Sequence, residues 1–593
     1  MKLRNMYIFG ALALMTASCD ESSFLSQKPQ GSLSEEIMTS TEGVDLLVNA
    51  AYAALGGPEG QSWSVWFHPT SNWTYGEVRA DNAYKGGGGV GDGNEVHRME
   101  IFDMNASNGF LDSKWYHLYC SVQRCNSALR VLNAANDEQV KDRASRIGEM
   151  KVLRAHYFFE LSRLFNKIPY FDENVEIAAY PSISNDEFTR DEILGKLAKE
   201  MTDAAGMLPE SQPEVGRIHK YIALAYAAKI KLYQAYEQDE ETHAVTNINK
   251  DLLREVVTLC DEVLPHYALL SDFQGLDLIA NENGKESVFA IQYSMNDGTE
   301  SAGRINWSNL LNSPAGGSPY GGDGFFLPSQ DLINAYQTNA DGLPDFDYQS
   351  KADYSTAVPQ PDGSYKLENI ASGVDPRLDF IVGRPTITWK TYKDAPCNGW
   401  VRDKGAYGHN CAKRFWVSPE SSDMFQGWPW GASHLNWQII RCADVMLWKA
   451  EALVELNEGN GLETARGLIN DIRNRAKNSP YVKDFNNPAR DAANYIINPY
   501  PAAGWTQDYA RRALRWEYRL ETALEGERFF DLVRWGIAAE VMNKYINVEK
   551  DNRIYYANAR FTAGRDEYYP IPVNQYSFSK GLYVQNPGYP AFN

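Results

Sequence analysis

Residues Asn72 to Gly86 read NWTYGEVRADNAYKG and bring flat rings together with hydrogen-bonding groups over a short span. Trp73, Tyr75 and Tyr84 offer ring faces. Asp81 and Asn82 offer a carboxylate and an amide. A sugar ring has one apolar C–H face and a rim of hydroxyls, so rings stack on the first and polar side chains bond the second. Aromatics with a polar tip suit such half-wet sites. Elsewhere, Trp and Tyr gather between positions 281 and 436, at Tyr293, Trp307, Tyr320, Trp389, Tyr392, Trp400, Trp416, Trp428 and Trp430, with Trp437 just beyond.

The other constellations are poorer. Gly86 to Gly93 is glycine-rich, but no Gly-Lys-Ser/Thr follows it, so it reads as a flexible loop and not as a phosphate cradle. Asp92 lacks the ligand spacing of a calcium loop. His156 and Glu160 lie one helical turn apart, but no third metal ligand is indicated, and a scaffold pair is the better reading. Gly431-Ala-Ser-His434 lacks the second glycine of a nucleophile elbow. Carboxylates are plentiful, yet glycosidase roles depend on separation in space and cannot be assigned from order along the chain. No cofactor is called for.

These residues need a framework, and the chain supplies a helical one. Apolar residues recur at three- and four-residue steps over Gly43 to Leu55, Leu111 to Leu132, Glu149 to Phe165, Asp191 to Met207, Lys220 to Tyr236 and Leu252 to Leu264. The pattern returns at Ile439 to Leu456, Leu462 to Ala476 and Gln507 to Leu524. Helical hairpins joined by short loops point to an αα-solenoid. Two stretches break the pattern: Gly56 to Gly109, and Asn281 to Asn436, where Ser287 to Tyr293 reads as a short strand. Long irregular regions inside a compact domain usually carry function, and loops on a rigid scaffold are where binding groups sit.

The segment RWEYRLETALEGERFFDLVRWG, Arg515 to Gly536, places Trp516, Leu520 and Leu524 on one helix face. Arg515 and Arg519 share a second face, and Glu517 and Glu521 a third. Like charges at i,i+4 repel mildly, so these side chains are expected to find partners on other helices. This segment resembles the closing phrase of the SusD/RagB family of outer-membrane nutrient-binding lipoproteins, though it opens Trp516-Glu-Tyr-Arg519 where the family more often has Glu-Arg-Arg. Further matching phrases follow in the family's order: Asn49 to Ala54, Leu153 to Phe158, Ile168-Pro-Tyr170, Asp375-Pro-Arg377, Ile440 to Asp444 with Ala450-Glu-Ala452, Ile472 to Arg475, Pro570-Ile-Pro572 and Gln585 to Gly588.

The resemblance implies a mainly α SusD-like fold, in which four tetratricopeptide-like helix pairs form a scaffold beneath an irregular, loop-rich ligand region. It divides the chain into a helical part over 31–280 and a second part over 281–593, with a loop-rich insert at 281–436. It also implies a non-catalytic role. A glycan would be captured at the cell surface and delivered to a SusC-like TonB-dependent β-barrel transporter. Ligand contacts would come from Trp73, Tyr75, Asp81, Asn82 and Tyr84, with Tyr293, Trp307 and Tyr320 opposite. The rival readings are a peptide-capturing RagB-like lipoprotein, a surface-tethered glycoside hydrolase, and a purely structural plug whose own ligand site is vestigial.

Charge and the first residues agree with that picture. Net charge is −20 over 593 residues, which argues against nucleic acid, whose binding rests on Lys and Arg neutralising phosphates. Lys2 and Arg4 precede the apolar run Ile8 to Met15, and Thr16-Ala17-Ser18 precede Cys19. This reads as a bacterial lipoprotein signal over 1–18, with Cys19 the lipid-bearing residue and 19–30 a polar tether, the alternative being an ordinary signal peptide with a chance cysteine; the resemblance implies that the anchoring membrane is the outer one. Of the other cysteines, Cys397 and Cys411 are the best candidates for a disulfide, with buried thiols the alternative, while Cys120 and Cys125 are expected to stay unpaired.

Overall fold

The computed structural model describes residues 40–57, 64–298 and 303–592; the signal segment, Cys19, its tether and Trp63 lie outside the described residues. The helices that build the scaffold are α1 (Thr41–Ala53), α2 (Gly109–Ala134), α3 (Arg143–Phe165), α4 (Arg190–Ala205), α5 (Lys220–Ala235), α6 (Lys250–Val263), α7 (Cys442–Leu456), α8 (Gly461–Asn478), α9 (Gln507–Glu521), α10 (Arg528–Arg534) and α11 (Ala538–Asn552). The strands that matter below are β1 (Ala83–Gly86), β2 (Ser287–Ile291), β3 (Phe325–Pro328) and β4 (Trp437–Arg441).

Each scaffold helix packs on its successor: α2 on α3, α3 on α4, α4 on α5, α5 on α6, and α7 on α8 and α9. Crucially, α6 packs on α7 across almost two hundred intervening residues. The solenoid therefore runs on unbroken, and the irregular region is an insertion laid over it. Starts are specified locally. Thr189 and Glu192 form a capping box ahead of α4, and Asn249 accepts from Asp251 N and Leu252 N ahead of α6. The fully buried faces of α3 and α5 then close the core, with Leu153, Phe158, Leu161, Ile230 and Leu232 shut off from solvent.

Two boundaries differ from the helical periodicity: α9 ends at Glu521, so Leu524, at φ +68°, is off the helix face expected to carry it with Trp516 and Leu520, and the start at Ile439 moves as well. Residues from Trp437 to Arg441 form β4, which pairs antiparallel with β2, and the helix begins only at Cys442. Two adjacent isoleucines fit either structure. What decides between them is tertiary: β2 offers an edge, and the Arg441 side chain is drawn inward to carboxylates.

Those carboxylates lie on α9. Glu521 pairs with Arg377 (3.1 Å), Arg441 (2.7 Å) and Arg475. Glu517 pairs with Arg377 (2.6 Å) and Arg473 (3.1 Å), and Asp375 completes the Arg377 site at 2.7 Å. Arg519 reaches Asp331 at 2.7 Å and Asp81 at 3.3 Å, while the Arg515 guanidinium lies 5.2 Å from the Trp535 ring. The like-charged faces of α9 thus find partners on other elements. Phrases far apart in sequence, around Asp375, Ile440 and Ile472, meet in one buried ionic network. Burial alone would raise the Glu521 carboxyl, but Arg475, Arg441 and Arg377 outweigh it and hold it at about 2.

Two glycines fix the joint between this network and the first irregular region. A Cβ on Gly76 would lie 1.8 Å from the Gly526 carbonyl oxygen. Gly526 itself has φ +86°, and a Cβ there would lie 2.1 Å from Ser71 O. The backbones pack directly, which only glycine permits.

One expectation is corrected, and one open alternative is decided. The glycine run after Lys85 is a cage, not a free loop: the buried Lys85 ammonium donates to the carbonyls of Gly86 (2.8 Å), Gly89 (2.9 Å) and Asp92. Asp92 in turn accepts from Gly88 N and pairs with Arg402 at 3.0 Å. An internal cation organises the backbone as a bound metal ion would. Second, no disulfide joins the cysteines of the described residues. The Cys411 thiol instead donates to Trp400 O at 3.3 Å.

Candidate functional site

Most ring faces expected to meet a ligand are enclosed. Trp73, Tyr75 and Tyr84 are at most 1% exposed, and Asp81 and Asn82 at most 2%. Trp73 sits 5.4 Å from Trp66 and 5.5 Å from Phe326. The Tyr75 hydroxyl donates to Phe67 O and Phe110 O. The Tyr84 hydroxyl donates to Glu549 and accepts from Gln330 N, and Arg553 lies over its ring. Tyr320 is likewise buried: its hydroxyl donates to Val417 O and accepts from Trp389 Nε1.

The polar members serve α9 and α10 rather than a ligand. Asp81 accepts from Arg528 Nε (2.8 Å), and Asn82 Oδ1 accepts from Arg519 Nε (3.0 Å). Asn82 Nδ2 donates to Glu77 (2.9 Å), which also accepts from the backbone N–H groups of Gly526 and Glu527. The segment from Asn72 to Lys85 carries so many polar groups because it must satisfy a buried arginine-rich segment, a demand invisible in local sequence.

Burial pushes the Glu77 carboxyl up to about 7, against the opposing pull of its hydrogen bonds. Since the folded value lies above the ordinary one near 4.5, wild-type stability is expected to fall as pH rises from about 4.5 through 7. A Glu77→Gln variant should lack that component. The wild-type minus variant difference in urea midpoint should therefore shrink over this window by the equivalent of up to about 3 kcal/mol, because each tenfold change in proton affinity on folding is worth roughly 1.4 kcal/mol. Parallel midpoints from pH 4 to 8 would contradict it.

Open space lies elsewhere. A surface groove of about 940 Å³ runs between α1, the loop Glu214 to Arg217, the end of β2 and the segment Gly303 to Trp307. Two of the expected residues line it. Tyr293 is half-buried, held by its N–H donating to Asn436 Oδ1 at 2.8 Å. Trp307 is 3% exposed and meets Trp428 edge-on, with ring centroids 5.3 Å apart. Trp428 and Trp430 are 40% and 47% exposed. Their loop is tied down where Ser313 Oγ donates to Trp430 O at 2.6 Å. Both indoles belong to the aromatics of the insertion but not to the contacts expected from sequence. The signal was there in Gly427-Trp-Pro-Trp-Gly431, where proline and flanking glycines hold two large rings in a turn unable to join a helix or strand.

The polar part of the groove is fixed in advance. The Tyr52 hydroxyl donates to Glu149 (2.6 Å) and accepts from Ile218 N (2.9 Å), and Arg217 bridges Glu149 and Glu214. Asn49, Gln292 and Arg304 add further hydrogen-bonding groups. Glu214 is the single carboxylate among the described lining residues. Beneath the groove, sharing Leu55, Gly57 and Ile291 with it, lies a charged inner cavity of about 80 Å³. His156 and Glu160 line it. Glu160 pairs with Arg163 (2.6 Å) and accepts from Asn72 Nδ2, and the His156 ring bonds the Tyr226 hydroxyl. Burial lowers His156 to about 4. They are scaffold residues with separate partners.

A helix-pair solenoid whose first helix and an inserted irregular region together wall a surface groove defines the class of scaffold. The family is evident from comparison: residues 285–589 match the SusD family, and residues 24–232 match a family described as starch-binding and associating with the outer membrane. The chain belongs to the SusD family. It is 24% identical to SusD-like protein P2 of Formosa agariphila, over 98% of this chain and 99% of that one. It is 22% identical to a SusD-like protein of Bacteroides ovatus, over 89% and 82% of the two chains. Among solved structures, a laminarin-binding SusD-like protein superposes with a TM-score of 0.63 at 20% identity, over 93% of this chain and 100% of the other. Surface glycan-binding protein A of Bacteroides thetaiotaomicron, in complex with laminarihexaose, gives 0.61 at 19%, over 92% and 99%. These likenesses establish the mainly α SusD fold. Among the described residues, no helix is long and apolar enough to cross a membrane.

Proposed function

We propose that this protein captures an oligo- or polysaccharide at the cell surface and passes it, chemically unchanged, to a SusC-like TonB-dependent barrel, held at the outer membrane by lipid on Cys19. The observation that carries the reading is the half-buried Tyr293 on the groove together with the exposed Trp428, which packs over the buried groove-lining Trp307. It supplies apolar faces beside hydrogen-bonding groups, the two surfaces a sugar needs. The two solved relatives named above bind laminarin or its hexaose, which supports a saccharide as ligand here. Among the described lining residues the one carboxylate, Glu214, is already paired with Arg217, which supports binding without hydrolysis, since glycosidases flank the bond with two carboxyl groups roughly 5–10 Å apart.

The test is affinity electrophoresis of the purified chain against laminarin and a panel of neutral and acidic polysaccharides, with reducing ends assayed in parallel. Retardation by at least one polysaccharide, with no rise in reducing ends, is the expected result. Reducing ends accumulating with time would overturn the non-catalytic reading. Retardation by none, with binding to a peptide pool instead, would overturn the saccharide.

A further inference from the structure

A second concavity, sharing no lining residue with the groove, has a different chemistry. It measures about 640 Å³ and lies between the outer face of α11 and the loop Arg560 to Ala563. Asn543, Asn547 and Lys550 recur at i, i+4 and i+7 on α11, so they form one stripe. Arg560 and Thr562 face that stripe from the loop. The loop is clamped in place: Asn543 Nδ2 donates to Phe561 O at 3.1 Å, and Phe561 N donates to Asn543 Oδ1 at 3.2 Å. Buried Phe561 anchors the clamp edge-on against Phe102, 5.0 Å away.

The electrostatics of this site run against the rest of the molecule. The chain carries a net charge of −20, yet the lining contains two cations and no acid. Neither Lys550 nor Arg560 makes an ion pair among the described residues, and the Asn547 amide has no partner there. The nearby Glu549 carboxylate is turned inward to Tyr84 and Arg553. Buried arginines elsewhere, such as Arg377, Arg384 and Arg534, are neutralised by carboxylates. Two cations without ion pairs on one concavity, together with the Asn547 amide and Thr562, match a tetrahedral oxyanion on a hydroxylated carrier. Arg supplies a planar fork for such an oxyanion, and Lys a point charge.

We propose that this pocket binds a sulfate or phosphate ester carried on a sugar, through Lys550, Arg560, Asn547 and Thr562. It goes beyond the groove reading, because a saccharide with charged substituents would gain a second point of attachment with its own specificity.

The test is a ligand-observed NMR titration of the full chain, at low and at physiological salt, with glucose 6-sulfate, glucose 6-phosphate, glucose, inorganic sulfate and phosphatidylglycerol vesicles. A Lys550→Ala/Arg560→Ala double variant is run beside it. Both positions are at the surface, so its thermal melt should match wild type. An ester bound at least fivefold more tightly than glucose and than inorganic sulfate is expected, with binding weakened at least fivefold by the double variant and by added salt. Esters bound no better than inorganic sulfate would overturn the sugar. Vesicle binding that depends on the two cations, with free esters ignored, would overturn it in favour of a lipid headgroup. Undiminished ester binding by the double variant would remove the site. Laminarin retardation is measured on both proteins: its loss everywhere would count against the groove alone.

Discussion

Replacing Glu521 with alanine is expected to destabilise the protein by about 3–5 kcal/mol, the cost of breaking a buried ion pair by removing one partner. Glu521 is fully buried and contacts three guanidinium groups, those of Arg377, Arg441 and Arg475. Arg377 would keep Asp375 and Glu517, and Arg441 would keep Glu286 and Glu525. Among the described residues Arg475 would keep only Glu286, and it would carry most of the uncompensated charge. Urea denaturation measures the effect, and Glu521→Gln should lie between wild type and alanine, because it preserves volume and one acceptor. The pH dependence gives a second check. The folded carboxyl is held at about 2, below its ordinary value near 4.5. Its stabilisation is therefore complete above about 4.5 and lost as pH falls toward 2, so wild type and variant should converge in acid. An alanine variant with the wild-type midpoint at pH 7 would refute the account of the network.

The second large effect concerns binding. The Trp428→Ala/Trp430→Ala double variant is expected to weaken polysaccharide affinity about tenfold or more while lowering the melting temperature less than Trp307→Ala does. Each indole is nearly half exposed, so truncation costs the fold little, whereas an aromatic contact is worth about 0.5–1.5 kcal/mol beyond its buried area and two together reach the tenfold threshold near 1.4 kcal/mol. Trp307→Ala offers the contrast: this ring is buried beneath Trp428, so its loss should lower the melting temperature as well as the affinity. The readout is retardation by the polysaccharide that binds wild type best. Undiminished retardation by the double variant would move the ligand away from this loop.

The placement of the indoles also explains why the first irregular region looks like a binding site in sequence and is not one in space. In composition, Asn72 to Lys85 and Gly427 to Gly431 are alike: aromatics beside small or polar residues. The first is clamped between Gly526 and the arginines of α9 and α10, and its polar groups are consumed there. The second is tied down by the Ser313 hydroxyl on Trp430 O, and its two rings stay 40% and 47% exposed.

By itself the amino-acid order determined the helix pairs, because a 3.6-residue apolar period is a local property that survives any arrangement of neighbours. It also determined that Glu517, Arg519 and Glu521 needed partners outside their helix, since like charges one turn apart cannot satisfy each other. Three of the family phrases, those around Asp375, Ile440 and Ile472, supply the arginines that meet these charges. Only the tertiary structure decided which aromatics see solvent. Exposure is a property of what packs on top, set by contacts between residues hundreds of positions apart, and neither the type of a side chain nor its spacing carries that information.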